Sequence, residues 1–375
     1  MTARSGVALR GGDDIAVVCG SRTELIRLAP VVAAFAEEPR VIVADPRDHP
    51  DRPTSVARLV ETVAGEFSRR RPRVVVVHGG TPAGIAAAHV AGDDGISVVY
   101  ADAGMPASEG SALASTRSSV YAATTIRAAV NLRRWGVDPA LVSVTGSTVV
   151  ETVRSALAPV ADGREREFDH LPIHHGFLLA AIHHPENIGD AASLERALGA
   201  LRHTEAVCVL VVRPAARAAL ERFGRTSLLD GLVVIPDVPH RSFVRLARRA
   251  ELLVSDSVAM QEECTVLGSR LLVLRRELDR PEAAEAGFAR LIPPSADLAA
   301  EIASELRDDE ARDRLRIRPT PFGDGRSGIR IASLAQRLAG GQTAADAVAA
   351  LDADNERARQ YPSEPALMPS GSARA

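Results

Sequence analysis

At 375 residues, 46% of them hydrophobic and 25% charged, the chain is long enough to bury a sizeable core, and its length favours two domains of ordinary size over one. A formal net charge of −3 supplies no basic field for nucleic acid, and with 3% aromatics there are few platforms on which a base or sugar could stack, so an ionic or hydrogen-bonded ligand is expected. Every strongly basic residue is Arg, which excludes Schiff-base chemistry on Lys.

Residues 1–13 are polar and Gly-rich and read as a disordered tail. The first strand, Ile15 to Cys19, runs into Gly20-Ser21-Arg22-Thr23-Glu24 and then an apolar helix from Leu25 to Phe35. A glycine at a strand end lets the backbone turn sharply and approach a ligand, and Arg22 can hold a diphosphate through two N–H donors; the alternative is an ordinary turn with a solvated Arg. Arg27, further along the same helix, joins the candidate ligand contacts. A second strand, Val41 to Ala44, leads into a polar loop and a helix around Val56 to Ser68. Arg73 to Val77 ends in four valines, the pattern of a strand buried on both faces of a parallel sheet, and opens into His78-Gly79-Gly80-Thr81. The next strand, Ser97 to Tyr100, ends in Ala101-Asp102-Ala103-Gly104. A carboxylate there converges on the crevice where α/β sheets bind ligands, although an Asp before Ala-Gly also serves as a plain turn former. After Pro106 the acidic group is Glu109. A strand and helix cover Tyr121 to Trp135, the stretch from Leu141 to Val150 contains Thr145-Gly146-Ser147-Thr148 ahead of Glu151, and the charged, turn-rich residues 158–172 read as a linker between domains.

Beyond the linker a strand from Phe177 to Ile182 ends in His183-His184-Pro185-Glu186-Asn187. A His at a strand end facing a cleft can donate to a phosphate or act as acid or base near neutral pH. Five of the ten histidines fall between His170 and His184, but no Cys or regularly spaced Asp or Glu accompanies them, so neither a metal nor another cofactor is expected. The alternation continues through helix Ser193–Leu201, strand Ala206–Val212, helix Ala216–Phe223, strand Leu232–Ile235 and helix His240–Ala250. A buried strand ending at Val254 then meets the loop Ser255-Asp256-Ser257, a helix through about Val266, a turn at Gly268, a strand to Leu274 and a charged loop closing on Arg280-Pro281-Glu282. A loop that leaves a parallel strand and opens a helix presents free N–H groups and the positive helix end, where a phosphate can sit. The turn Pro321 to Gly325 enters a terminal helix, Ser327 to Leu338, and residues after about Asp352 are polar and Pro/Ser-rich and read as disordered. Cys19, Cys208 and Cys264 are far apart in apolar or helical contexts, like buried thiols of a reducing cytoplasm. No segment reads as a signal peptide, and no apolar run is long enough to span a bilayer.

In order and spacing these motifs resemble the UDP-N-acetylglucosamine 2-epimerases of the non-hydrolysing type. SDSVAMQEE followed by DRPE is similar to the family's S-D-S-G-G-x-Q-E-E and R-P-E, GSRTE to G-T-R-P-E, TGST to T-G-N-T, HHPEN to H-R-P-E-N, and PFGDG to the end of N-P-Y-G-D-G. The resemblance spans roughly residues 15–338. It implies an α/β fold of two Rossmann-like doubly wound domains facing a cleft, the GT-B arrangement: an N-terminal domain at 14–160, a UDP-binding domain at 172–325, and a terminal helix at 326–340 returning to the first, with 1–13 and 353–375 as disordered tails. It further implies a cytoplasmic homodimer that needs no cofactor and acts on a UDP-sugar, eliminating UDP to leave a 2-acetamidoglucal and adding it back after reprotonation at C2. Family roles carried to matching positions put Gly20, Arg22, Glu24, Arg27, Glu186, Asn187, Ser257, Glu262, Glu263 and Arg280 on the substrate, with Glu263 on the ribose hydroxyls. The proton work falls to Asp102, Glu109 and His183.

The departures are as specific as the matches. Gly80 stands where the family's H-G-D-T carries a catalytic Asp, and Asp102 where V-E-A-G carries Glu. The Asn and Arg of P-E-E-x-N-R are missing beside Glu109, Val258 and Ala259 replace two glycines, and ADPRDHPDRP lacks the Q-H-R motif that contributes to an allosteric substrate site. Two other readings therefore stay open: a hydrolysing variant or glycosyltransferase on the same fold, and a catalytically silent nucleotide-sugar binder or partner subunit.

Overall fold

The computed structural model describes residues 14–44, 56–105, 119–159, 167–173, 176–204 and 206–360. Its strands form two six-stranded sheets in which neighbours pair in parallel. The first contains β1 (Ile15–Cys19), β2 (Arg40–Val43), β3 (Val74–His78), β4 (Ser97–Ala103), β5 (Ser119–Ala123) and β6 (Val142–Val144), in the order β2-β1-β3-β4-β5-β6. The second contains β7 (Leu178–Ala181), β8 (Cys208–Val212), β9 (Val233–Pro236), β10 (Leu252–Ser255), β11 (Leu271–Val273) and β12 (Ala289–Leu291), in the order β12-β11-β10-β7-β8-β9. Chain direction across the sheet reverses between β1 and β3 and between β7 and β10, and the loops leaving those strands are where a doubly wound sheet opens a crevice. The central strands IAVVC and CVLVV are buried throughout because helices cover both faces, whereas edge strand β2 leaves Val41 and Val43 partly exposed.

Several elements differ from the expectation for physical reasons. The first helix runs over Arg22–Ala33 and so starts before Leu25, because Ser21 accepts from the Glu24 N–H while the Glu24 carboxylate accepts from the Gly20 N–H and the Ser21 hydroxyl. Strand β4 continues past Tyr100 to Ala103 across a register shift, with Asp102 at φ 53 inside it. The expected disordered tail at 353–375 is corrected over its first part: a helix spans Ala344–Gln360, and Ala344, Ala347, Val348 and Leu351 bury against the core of the first sheet. Residues 1–13 and 361–375 lie outside the described residues.

The helix Ser327–Ala339 packs in that same core, with Ile331, Leu334 and Leu338 beside Ile15, Val17 and Leu28. A Cβ on Gly328 would lie 2.5 Å from the Pro30 carbonyl oxygen, so this crossing requires glycine. Pro30 sits inside the helix Arg22–Ala33 and has no N–H for the Ile26 carbonyl; the Thr152 hydroxyl lies 3.3 Å from that carbonyl and shares its proton with the Thr148 carbonyl at 2.9 Å. Thr152 belongs to the helix Val149–Leu157, which packs against helices His240–Arg249 and Val258–Leu267 of the second half. Its carboxyl end is met by Arg245, whose Nε and Nη2 donate to the carbonyls of Ala156 and Ala158 at 3.0 and 2.7 Å. Cys19, Cys208 and Cys264 are buried and in no disulfide, and no described helix is long and apolar enough to cross a membrane.

Candidate functional site

Between the carboxyl ends of the two sheets lies a cleft of about 440 Å³. One wall comes from the start of helix Arg22–Ala33, with Arg22, Thr23 and Arg27, and from Val149 and Thr152. The facing wall comes from the ends of β7, β8 and β10, with His183, Arg213 and Ser257, and from His240, Phe243 and Glu263.

Asp256 organises the second wall. Its fully buried carboxylate accepts from the N–H of His183 at 3.0 Å, the N–H of His184 at 2.8 Å and Asn187 Nδ2 at 3.0 Å, which ties the end of β7 to the end of β10. Its Oδ1 lies 3.4 Å from His183 Nδ1, and on the other side of the ring Arg213 Nη1 stands 3.3 Å from Nε2. A guanidinium only donates, so Nε2 is the acceptor and the ring proton sits on Nδ1, toward Asp256. Burial lowers the His183 pKa, the Asp256 carboxylate opposes that and Arg213 reinforces it, leaving the imidazole neutral at pH 7. Ser257 N-caps the helix Val258–Leu267 without a side-chain cap bond, so its first-turn N–H groups are available to an anion. Glu263 Oε1 pairs with His240 Nε2 at 2.8 Å on the same wall.

Behind Arg27 lies a set of buried charges. Asp102, 2% exposed, accepts from Thr148 N–H at 3.1 Å and from the Thr148 hydroxyl at 2.6 Å, and has Arg27 at 3.8 Å and His78 at 3.6 Å. Burial pushes its carboxyl up, but His78, Arg27 and Thr148 together outweigh burial and hold it below the usual carboxylate range. Glu262 from the second half accepts from Arg280 Nε at 2.8 Å and from the Ser147 hydroxyl at 2.7 Å, and stands 3.6 Å from Arg27. Its burial likewise raises the pKa and is outweighed by Arg27 and Arg280, so it too is held low. Arg27, for which burial alone would lower the pKa, is raised by Glu262, Asp102 and Glu263 and stays charged.

The profile of the UDP-N-acetylglucosamine 2-epimerase family matches residues 28–336. The chain belongs to this family. The UDP-N-acetylglucosamine 2-epimerase of Salmonella typhimurium is 25% identical to it over 366 residues, covering 84% of this chain and 96% of that protein. The Bacillus subtilis epimerase is 24% identical over 363 residues, covering 84% and 93%. Among solved structures, the Methanocaldococcus jannaschii UDP-GlcNAc 2-epimerase in complex with UDP-GlcNAc and UDP superposes with a TM-score of 0.72 at 23% identity, covering 84% of this chain and 98% of its own. The Neisseria meningitidis enzyme bound to UDP-GlcNAc gives 0.72 at 20%, covering 84% and 97%. The fold is accordingly the GT-B arrangement of the epimerase family.

Of the residues that the epimerase resemblance points to, Arg22, Arg27, His183, Ser257 and Glu263 line the cleft. The others serve the frame around it. Glu24 is occupied by its own turn and by the Thr81 hydroxyl, and the Gly20 N–H is donated to it. Glu186 accepts from Arg275 Nε and Arg276 N–H, Asn187 donates to Asp256 and to the Leu274 carbonyl, and Arg280 is buried against Glu262 and the Asp279 carbonyl. Asp102 does not reach the cleft wall, a correction to the expectation of a carboxylate open to the crevice; its strand twists it inward at the bulge, toward Thr148. Glu109 lies outside the described residues. Gly80 adopts φ 69, a left-handed turn in which Asp is tolerated less well than Gly. Asp256, Arg213, His240 and Thr148 escaped the sequence reading. Asp256 lay inside the Ser255-Asp256-Ser257 motif and Arg213 at a strand end, the same signal that marked His183. Among the described residues no three His, Cys, Asp or Glu side chains converge as a metal set.

Proposed function

We propose that this chain interconverts UDP-N-acetylglucosamine and UDP-N-acetylmannosamine in the interdomain cleft. The observation that carries the reading is the cleft itself: guanidiniums of Arg22 and Arg27 on one wall face an uncapped helix start at Ser257 on the other, a pairing suited to a diphosphate. Glu263, presented beside His240, takes the ribose hydroxyls.

The reaction removes the proton at C2 of the sugar as the bond from C1 to the diphosphate oxygen breaks, with UDP leaving on that electron pair. Inversion requires the proton to leave one face and a proton to return to the other. Asp102, set behind Arg27 in the first half, and His183, on the cleft wall of the second, approach the cleft from opposite sides, which supports their assignment as that pair. Arg27 touches Asp102 and Glu262 at ion-pair distances without closing to hydrogen bonds, so an incoming diphosphate can draw the guanidinium to itself. Asp102 then loses a counter-charge and becomes a stronger base, which couples substrate binding to base activation. Neutral His183, with Arg213 fixing its tautomer, serves the opposite face, and Thr148 keeps Asp102 oriented. Assembly as a homodimer, a cytoplasmic setting and a place in amino sugar biosynthesis are carried over from the family likeness; light scattering tests the first.

A second reading, a silent nucleotide-sugar binder, is favoured by Gly80 at the family's catalytic Asp. Incubation with UDP-N-acetylglucosamine in deuterated water separates the two. Deuterium at C2 of the recovered UDP-sugars is the expected result; free sugar plus UDP indicates hydrolysis, and binding without exchange indicates the silent reading. Replacing Arg22 or Ser257 by Ala should weaken UDP binding in calorimetry by roughly tenfold for the Arg, whose charge-assisted hydrogen bonds are lost, and less for the Ser. Unchanged affinity in both variants would remove the diphosphate from this position.

A further inference from the structure

Beside the cleft lies a second cavity of about 790 Å³, a size typical of small-molecule sites. Arg22, Ile26, Thr152, Pro239 and His240 line both, so a single layer of side chains divides them. The lining is largely apolar, with Ala29, Pro30 and Ala33 on one face of helix Arg22–Ala33 and Ile329, 45% exposed, opposite them. Two polar features stand out against it. The side chains of Arg22 and Arg326 are exposed at its edge, and neither guanidinium has a hydrogen-bond or ion-pair partner among the described residues. Glu151 Oε1 accepts from the Gly328 N–H at 2.6 Å, but its Oε2 is buried with no donor.

We infer that this cavity is a second ligand site, for an anionic amphiphile of small-molecule size. Its acid group would rest between Arg22 and Arg326, its apolar body along Ala29, Pro30 and Ala33, and one N–H or O–H would reach Glu151 Oε2. Each part answers a feature the protein itself leaves unpartnered: two guanidiniums without a carboxylate, an apolar surface without a covering side chain, and a buried acceptor whose lack of a donor is costly. The site shares Arg22 with the diphosphate position assigned to the cleft, and its other contacts, Arg326, Ala33 and Glu151, lie outside that cleft.

The probe is 8-anilinonaphthalene-1-sulfonate, which combines a sulfonate, an apolar ring system and an N–H donor, titrated into the full chain and followed by fluorescence. Saturable one-site binding is expected. Arg326→Glu reverses a contacting charge and Ala33→Phe fills the cavity; each should weaken dye binding by about tenfold or more. Both side chains are exposed, so neither substitution enters the core, and UDP affinity within about twofold of wild type confirms that the variants are folded. Dye binding of wild-type strength in both variants overturns the inference, since the dye would then occupy the cleft or scattered surface.

Discussion

Asp102 and Glu151, each partly or wholly withdrawn from water, are shifted in opposite directions. For Glu151, burial is the leading cause and raises the pKa, the Gly328 N–H lowers it, and the carboxylates of Asp102 and Asp324 raise it further. A group whose folded pKa is raised adds stability while protonated and loses it as pH rises through the folded value, so at pH 7 its charge is a cost. Glu151→Gln keeps the acceptor for Gly328 and removes the charge. Urea unfolding should show equal or higher stability at pH 7, by no more than about 1 kcal/mol because the group is partly solvated, and no gain near pH 4. Asp102 is held low, so its ion pairs stabilise above the ordinary carboxylate pKa and are lost as pH falls through the folded value. Asp102→Asn preserves the shape and an acceptor for the Thr148 N–H, so C2 exchange should fall by roughly 10²-fold or more while UDP binding stays nearly unchanged. Full exchange in this variant, with loss in His183→Asn, would move the essential base to the second half of the molecule. An acid at the end of β4 was legible in the sequence. Its surroundings were not, because Arg27, His78 and Thr148 come from three separate segments that only the sheet order brings together.

At the scale of elements, the crossing of helices Arg22–Ala33 and Ser327–Ala339 depends on a missing side chain. Gly328→Ala places a Cβ against the Pro30 carbonyl, and neither helix can retreat without opening the core around Leu28 and Ile331, so a loss of about 1–3 kcal/mol is expected in denaturant unfolding. A loss below about 0.5 kcal/mol would show that the two helices slide apart freely. Runs such as the four valines of β3 announced the buried strands because parallel strands covered on both faces have no polar positions to spare. The helix Ala344–Gln360 was missed for the opposite reason. Its second half is mostly polar, and composition beyond Asp352 pointed to disorder; yet Ala344, Ala347, Val348 and Leu351 recur at helical spacing, and those are the positions that bury. Small apolar residues among acids give a faint stripe, which a packed partner turns into a stable face.

Across the whole molecule, the two halves are joined by apolar packing and by charge. One hydrophobic cluster runs from Val18, Val75 and Val98 of the first sheet to Val209, Leu253 and Val273 of the second, which favours a single cooperative unfolding transition at neutral pH. Through the same boundary Arg27 of the first half meets Glu262 of the second, which Arg280 and Ser147 also hold. Removing one charge from such a set leaves the others buried without a partner, at a cost of about 3–5 kcal/mol. Glu262→Gln should therefore lower the Tm in calorimetry by at least about 5 °C at pH 7. Because Glu262 is held below its ordinary value, its contribution is present above the unfolded pKa of about 4.3 and disappears as pH falls through the folded one. The wild-type Tm should accordingly drop toward that of the variant on acidification, and the variant should show the shallower pH dependence. Equal pH dependence in the two proteins, or a Tm difference within about 1 °C at pH 7, would mean that the apolar cluster alone couples the halves and that the buried charges belong to the cleft's chemistry rather than to the molecule's stability.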